Sequence, residues 1–129
     1  MGCVNSGLLV YVAFHREDQA KDLEWIAKKI VGLRIFDDKN ERMNLPIGKE
    51  QGILIVSQFT LYGNLKKGYR PSFNKSAQPD IARVSYDGFL QILSQEFKGR
   101  VESGRFGENM VVEVKEDGPV SIWLDSHDR

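Results

Sequence analysis

Ser57, Gln58, Phe59 and Thr60 follow the apolar run Ile53-Leu54-Ile55-Val56 and precede Leu61-Tyr62-Gly63. Two hydroxyls, an amide and the backbone donors of a chain leaving a strand therefore arrive at one place. Such groups suit acyl-group chemistry, through a hydroxyl nucleophile or through donors oriented on a developing oxyanion. The same residue types also bond the backbone of a turn, and these four residues alone leave both readings open. A Ser-His-Asp arrangement would need a placed base. His15 stands beside Arg16-Glu17-Asp18 at a helix entry, and His127 lies in a C-terminal tail expected to fray. A hydrolytic site here is thus expected to work through donors, with substrate or water carrying the proton.

Two further stretches offer chemistry. Lys66, Lys67 and Arg70 surround Tyr69 in a loop before Pro71, a combination that supplies phosphate contacts and a stacking face for a base, or simply a solvated loop. Gly118-Pro119 follows Glu116-Asp117 between two alternating apolar runs; Asp-Gly is a common hairpin turn, and proline is tolerated at the first position of a strand. Arg105-Phe106-Gly107 could shape a pocket rim, although a plain loop is the commoner role for such a stretch.

The elements that must position these residues are legible in part. Leu8 to Phe14 reads as a buried strand. Asp18 is placed to cap a helix in which Leu23, Ile26, Ala27, Ile30 and Val31 fall on one face, ending at Gly32. Leu33 to Phe36 reads as a brief strand, Asp37 to Glu41 as a turn, and Ile53 to Leu61 as the central strand. Pro79-Asp80 opens a second helix with Ala82, Tyr86, Phe89, Leu90, Leu93 and Phe97 as its apolar stripe. Met110, Val112 and Val114 alternate, as do Val120, Ile122 and Leu124, which predicts an antiparallel hairpin around Glu116 to Pro119. The expected class is α+β, a curved mixed or antiparallel sheet or partial β-barrel with two helices packed outside, forming a single domain over 1–129.

Composition narrows the function. The chain has 129 residues, 41% hydrophobic and 28% charged, and its 18 Lys and Arg balance 18 Asp and Glu. A chain of this size can bury a core without metal or disulfide support, and no broad positive field exists to gather long nucleic acid. Any nucleic-acid contact must be local. No apolar run reaches the length of a membrane span, so no membrane is expected and a cytoplasmic location is the default. One cysteine, Cys3, forms no internal disulfide, and two histidines far apart in sequence give no zinc-like spacing; no metal and no cofactor are expected. Met1-Gly2-Cys3-Val4-Asn5-Ser6 fits a myristoylation pattern, but the strand follows at once, leaving an anchor no spacer.

Six segments, taken in order, carry a resemblance. Leu33-Arg34-Ile35-Phe36, Met43-Asn44-Leu45, Ser57-Gln58-Phe59-Thr60-Leu61, Lys67-Gly68 with Arg70-Pro71-Ser72-Phe73, Gly104-Arg105-Phe106-Gly107, and Asp117-Gly118-Pro119-Val120 resemble the D-aminoacyl-tRNA deacylases across nearly the whole chain. The resemblance implies a homodimeric cytosolic hydrolase that cleaves the ester between a D-amino acid, or glycine, and the 3′ end of tRNA. It implies that Ser57, Gln58, Phe59 and Thr60 line the pocket. Gly118 and Pro119 match a glycine and cis-proline pair that enters the partner subunit's pocket and rejects L-amino acids with main-chain atoms. The RNA 2′-hydroxyl would carry much of the chemistry, with Thr60 as nucleophile in a minority model. Lys66, Lys67 and Arg70 would then meet the tRNA.

The sequence departs from the family pattern in two places. Members usually begin earlier, with a strand containing Gln-Arg-Val, so this sequence is expected to lack that strand and to leave an edge open to pairing. Ser121 stands where threonine is common and keeps a hydroxyl. Two rival classes remain: an inactive module that binds RNA 3′ ends, and a structural dimer. Turnover of D-aminoacyl-tRNA separates the enzyme from both.

Overall fold

A computed structural model describes residues 2–129; Met1 of the myristoylation-like pattern lies outside them. The chain runs β1 (Gly7–Val12), α1 (Ala20–Gly32), β2 (Phe36–Asp37), β3 (Met43–Leu45), β4 (Gly52–Ser57), a 3-10 turn (Phe59–Tyr62), α2 (Pro79–Glu96) and β5 (Arg100–Ser103). β1, β4 and β5 form a parallel sheet with β4 in the middle, and β2 pairs antiparallel with β3 as a separate ribbon. The class is α+β with parallel and antiparallel strands, and the sheet is open rather than closed into a barrel.

Parallel neighbours require crossovers, and each helix supplies one. Register places Leu8 beside Ile53 and Val10 beside Ile55, with Val101 beyond Ile53 on β5. Alternate residues of a strand share a face, so these side chains meet Ala27 and Ile30 of α1 and Ala82, Tyr86, Phe89 and Leu93 of α2 in one core. Phe14, just past β1, seals its end with edge-to-face contacts to Tyr86 and Phe89. The opening rung needs glycine. Gly7 has φ +144°, and a Cβ there would lie 1.7 Å from the carbonyl oxygen of Gly52.

The helices follow their apolar stripes, with a change at the first cap. Asp18 was expected to cap α1, but its carboxylate accepts the His15 N–H at 2.8 Å, one residue too early. Gln19 is the N-cap residue, and the Asp22 carboxylate accepts its N–H at 2.9 Å. The brief strand expected at Leu33 to Phe36 shrinks to Phe36–Asp37, because Arg34 turns its guanidinium onto Asn44. β4 stops at Ser57, short of Leu61, because the next residues coil into the 3-10 turn.

The hairpin expected over residues 110 to 124 does not form; these residues carry no regular secondary structure. Alternation marks a segment able to pair, but a ladder also needs a partner and a covered face. Of the alternating residues, Val114, Val120 and Ile122 are exposed while Met110, Val112 and Leu124 are half-buried, so among the described residues that face is covered only in part. The tail is tied down instead at its far end, where residues 120–126 run beside β1 and α1 around an apolar cavity of about 380 Å³.

Tyr86 links the core to the site. Its hydroxyl is directed at the Gly104 carbonyl at 2.7 Å, with the Ile55 carbonyl at 3.3 Å, while the Gly104 N–H donates to Ile55 O at 2.9 Å. Burial, opposed by the Ser103 contact and assisted by Asp87, holds this phenol above its ordinary pKa, so it is a neutral donor. Tyr86→Phe removes that donor and leaves the part-buried Gly104 carbonyl short of a partner, at a cost of about 1 kcal/mol. Chemical denaturation should show the loss; an unchanged midpoint would mean that water replaces the hydroxyl.

Candidate active site

The predicted quartet sits at the exit of the central strand. Val56 is buried, Ser57 is half-buried, and Gln58, Phe59 and Thr60 emerge into solvent. The Gln58 N–H donates to the Val12 carbonyl at 2.8 Å, fixing the turn to the end of β1. Leu61 and Gly63 N–H groups close on Gln58 and Thr60 carbonyls. The first N–H groups of a helical turn have no partner inside it, and no acceptor meets the Phe59 or Thr60 amide among the described residues. Two adjacent backbone donors are thus without a partner among the described residues, at the exposed Phe59 and Thr60.

Segments far apart in sequence converge on this turn. The Gly107 N–H donates to Ser57 Oγ at 3.2 Å, bringing in residues 104–107. Phe59 packs edge-to-face on Phe73, ring centres 4.9 Å apart, bringing in Arg70 to Phe73. Asn64 and Ser72 exchange backbone hydrogen bonds at 2.8 and 2.9 Å, which closes the loop carrying Lys66, Lys67 and Arg70. Tyr69 is fully exposed at its tip.

Gly118 and Pro119 are not brought to the quartet within this chain. Both are exposed, and no hydrogen bond joins them to residues 57–60 among the described residues. The Gly118-Pro119 bond is cis and Gly118 has φ +126°.

Behind the turn lies a cluster that sequence reading missed. His15 and His127 rings stand 4.3 Å apart, and His15 packs edge-to-face on Tyr62. His127 Nε2 lies 2.6 Å from Asp18 Oδ1, and Arg129 Nη2 lies 3.0 Å from Asp22 Oδ1. The tail expected to fray is therefore anchored, because it carries the cations that two carboxylates at the start of α1 require. Histidines spaced too widely for a ligand set in sequence are neighbours in space. Asp18, Asp22 and His127 have donor atoms within 4.8 Å of one another, yet each already has a polar partner in the chain. Burial raises the Tyr62 phenol far above its ordinary value, reinforced by Asp18, Asp125 and Asp22, so it stays protonated. No sequence signal marks this cluster, since Asp18 and His127 are joined only by folding.

The contact with Asp18 raises the His127 pKa, against a smaller opposing effect of burial. A group whose pKa is higher folded than unfolded adds stability that is fully present below its unfolded value, near 6.5, and is lost as pH rises through the folded value. The stability difference between the unmodified protein and His127→Gln should thus be largest below that point and shrink on the alkaline side. Melting curves of both proteins across neutral pH would show this; a constant difference would rule out titration of His127 as the cause.

The open α+β fold of this chain has solved neighbours. The chain is similar to a structure described as a c-Myc DNA unwinding element binding protein, with TM-score 0.80 and 34% identity over 88% of this chain and 78% of that one. It shares the fold of a probable eukaryotic D-amino acid tRNA deacylase, with TM-score 0.63 and 23% identity over 78% and 75% of the two chains. In sequence it is 45% identical to the D-aminoacyl-tRNA deacylase of Thermotoga petrophila and 46% identical to that of Thermosipho africanus, covering 98% of this chain and 85% of each relative. The family model described as D-Tyr-tRNA(Tyr) deacylase matches residues 1–125. The chain belongs to the D-Tyr-tRNA(Tyr) deacylase family.

Proposed function

We propose that this chain is an aminoacyl-tRNA editing hydrolase that cleaves the ester of D-aminoacyl-tRNA and releases the D-amino acid. The observation that carries this reading is the turn at Ser57 to Thr60, where the unpartnered amides of Phe59 and Thr60 stand at the exit of the central strand. Hydrolysis of an ester passes through a tetrahedral oxyanion, and paired backbone donors are suited to stabilise it. Ser57 orients the wall through Gly107, Phe59 and Phe73 supply an apolar side, and Thr60 adds a hydroxyl at the mouth. Water adds to the carbonyl carbon, and the 3′-oxygen of the terminal ribose leaves with a proton.

The enzyme acts as a homodimer in the cytoplasm, the whole of 1–129 forming one domain. The partner's Gly118 and Pro119 complete the pocket, which accounts for their exposure in a single chain. Glycine, having no Cβ, passes the same gate and is hydrolysed from mischarged tRNA. Lys66, Lys67 and Arg70 meet phosphates of the RNA. No helix among the described residues is long and apolar enough to cross a membrane.

Incubation with D-tyrosyl-tRNA and L-tyrosyl-tRNA, with sedimentation of the same preparation, tests the proposal. The expected result is release of D-tyrosine alone by a species of twice the chain mass. RNA binding without turnover would favour an inactive 3′-end module, and full activity in a strict monomer would sink the cross-subunit pocket.

A further inference from the structure

Beside the quartet runs an open cleft of about 690 Å³ whose wall includes Arg16, Leu61, Tyr62, Lys66 and Lys75. Its cations come from three places in the chain: Arg16 after β1, Lys66 in the loop, and Lys75 before α2. No carboxylate lines it. In a chain of zero formal net charge, three cations line this cleft, while Asp18, Asp22 and Asp125 act on the Tyr62 phenol at its wall.

The arrangement is built rather than incidental. The Arg16 N–H donates to the Lys75 carbonyl at 2.8 Å, and His15 bridges Ser76 as an antiparallel pair. Arg16 Nη1 donates to the Asn74 carbonyl at 3.1 Å. Arginine has five N–H donors in a fixed fork, so this one bond sets the guanidinium while leaving donors free for phosphate oxygens. The cleft also shares Leu61 and Tyr62 with the 3-10 turn, so an RNA strand whose last ribose lies at Thr60 has this trough directly alongside. The exposed Leu65 side chain offers an apolar surface to a base, and the Asn64 and Asn74 side chains offer amide edges.

We propose that Arg16 and Lys75, together with Lys66, hold the phosphates of the single-stranded 3′ end of tRNA just upstream of the terminal nucleotide. This rests on the editing reading for the identity of the RNA, and it adds a second cationic arm to the loop of Lys66, Lys67 and Arg70. Two phosphates held by Arg16 and Lys75 should contribute about 1.4 to the slope of log affinity against log salt, at roughly 0.7 per single-strand contact.

The test uses uncharged RNA, so it does not depend on turnover. A hairpin ending in a single-stranded ACCA overhang, and the same hairpin with a blunt end, are titrated with the full chain, with Arg16→Ala/Lys75→Ala, and with Lys75→Ala alone, whose exposed position spares the fold. The double variant should bind the overhang about tenfold more weakly, with its salt slope reduced by about 1.4, and the single variant should lose about half of that slope. Arg16→Lys/Lys75→Arg should restore the slope. Unchanged affinity and slope in both alanine variants would overturn the proposal, as would an equal loss for the blunt hairpin. Lack of D-ester turnover with the salt-dependent overhang binding intact would defeat the esterase reading and leave this cleft assignment standing.

Discussion

Replacing the terminal 2′-hydroxyl of a D-aminoacyl-tRNA by hydrogen is expected to slow deacylation by about 100-fold or more, the range of a lost proton-transfer group. Thr60→Ala is expected to cost less than about tenfold. The difference follows from where the bases are. His127 Nε2 is committed to Asp18, and the His15 ring is held between Tyr62 and His127. Ser57 Oγ accepts from the Gly107 amide. No histidine hydrogen-bonds Ser57 or Thr60 among the described residues, so neither hydroxyl has the partner that a serine or threonine nucleophile needs. The 2′-hydroxyl is vicinal to the scissile ester and lies within reach of both the attacking water and the leaving oxygen. Single-turnover rates on the two RNAs and the two proteins decide the matter. A larger loss for Thr60→Ala than for the 2′-deoxy substrate, with an acyl-enzyme ester trapped on Thr60, would restore the nucleophile model.

The same geometry shows how far the sequence could be read. Both helices were legible because their burial is amphipathic and local: a stripe at helical spacing, Gly32 at the end of α1 and Pro79 at the start of α2. β4 was legible as an unbroken apolar run, since a central parallel strand is buried on both faces. β5 was missed because Arg100-Val101-Glu102-Ser103 has one large apolar residue and owes its place to pairing with β4. The opposite error arose at residues 110 to 124, where strong alternation met no partner strand in the chain. At the site, the quartet, the loop cations and the Gly-Pro pair each stand out by type. What joins Ser57 to Gly107, Arg16 to Lys75 and His127 to Asp18 is tertiary contact, on which spacing is silent.

Gly118→Ala is expected to open the chiral filter, raising hydrolysis of L-alanyl-tRNA by about tenfold or more relative to the unmodified protein while glycyl-tRNA is still cleaved. Gly118 lies at φ +126°, a region that residues with a Cβ rarely adopt, and a Cβ there would come within 3.1 Å of Val120 Cγ2 and 3.2 Å of Val120 N. Holding alanine in such a conformation costs about 1–3 kcal/mol. The surrounding turn is poorly placed to resist, because residues 113–120 are exposed and unladdered in the single chain. The backbone should therefore relax, shifting the carbonyls that the proposed gate presents to the partner's pocket. A gate built from main chain excludes an L substituent by its position at Cα, so discrimination in the unmodified protein should be similar for L-alanine and L-tyrosine. A gate built from side chains would instead discriminate by size. Measuring kcat/KM for D-alanyl, L-alanyl, L-tyrosyl and glycyl esters with both proteins separates these. Efficient L-alanyl cleavage by the unmodified enzyme, or a Gly118→Ala dimer that keeps full D selectivity, would remove Gly118 from the gate.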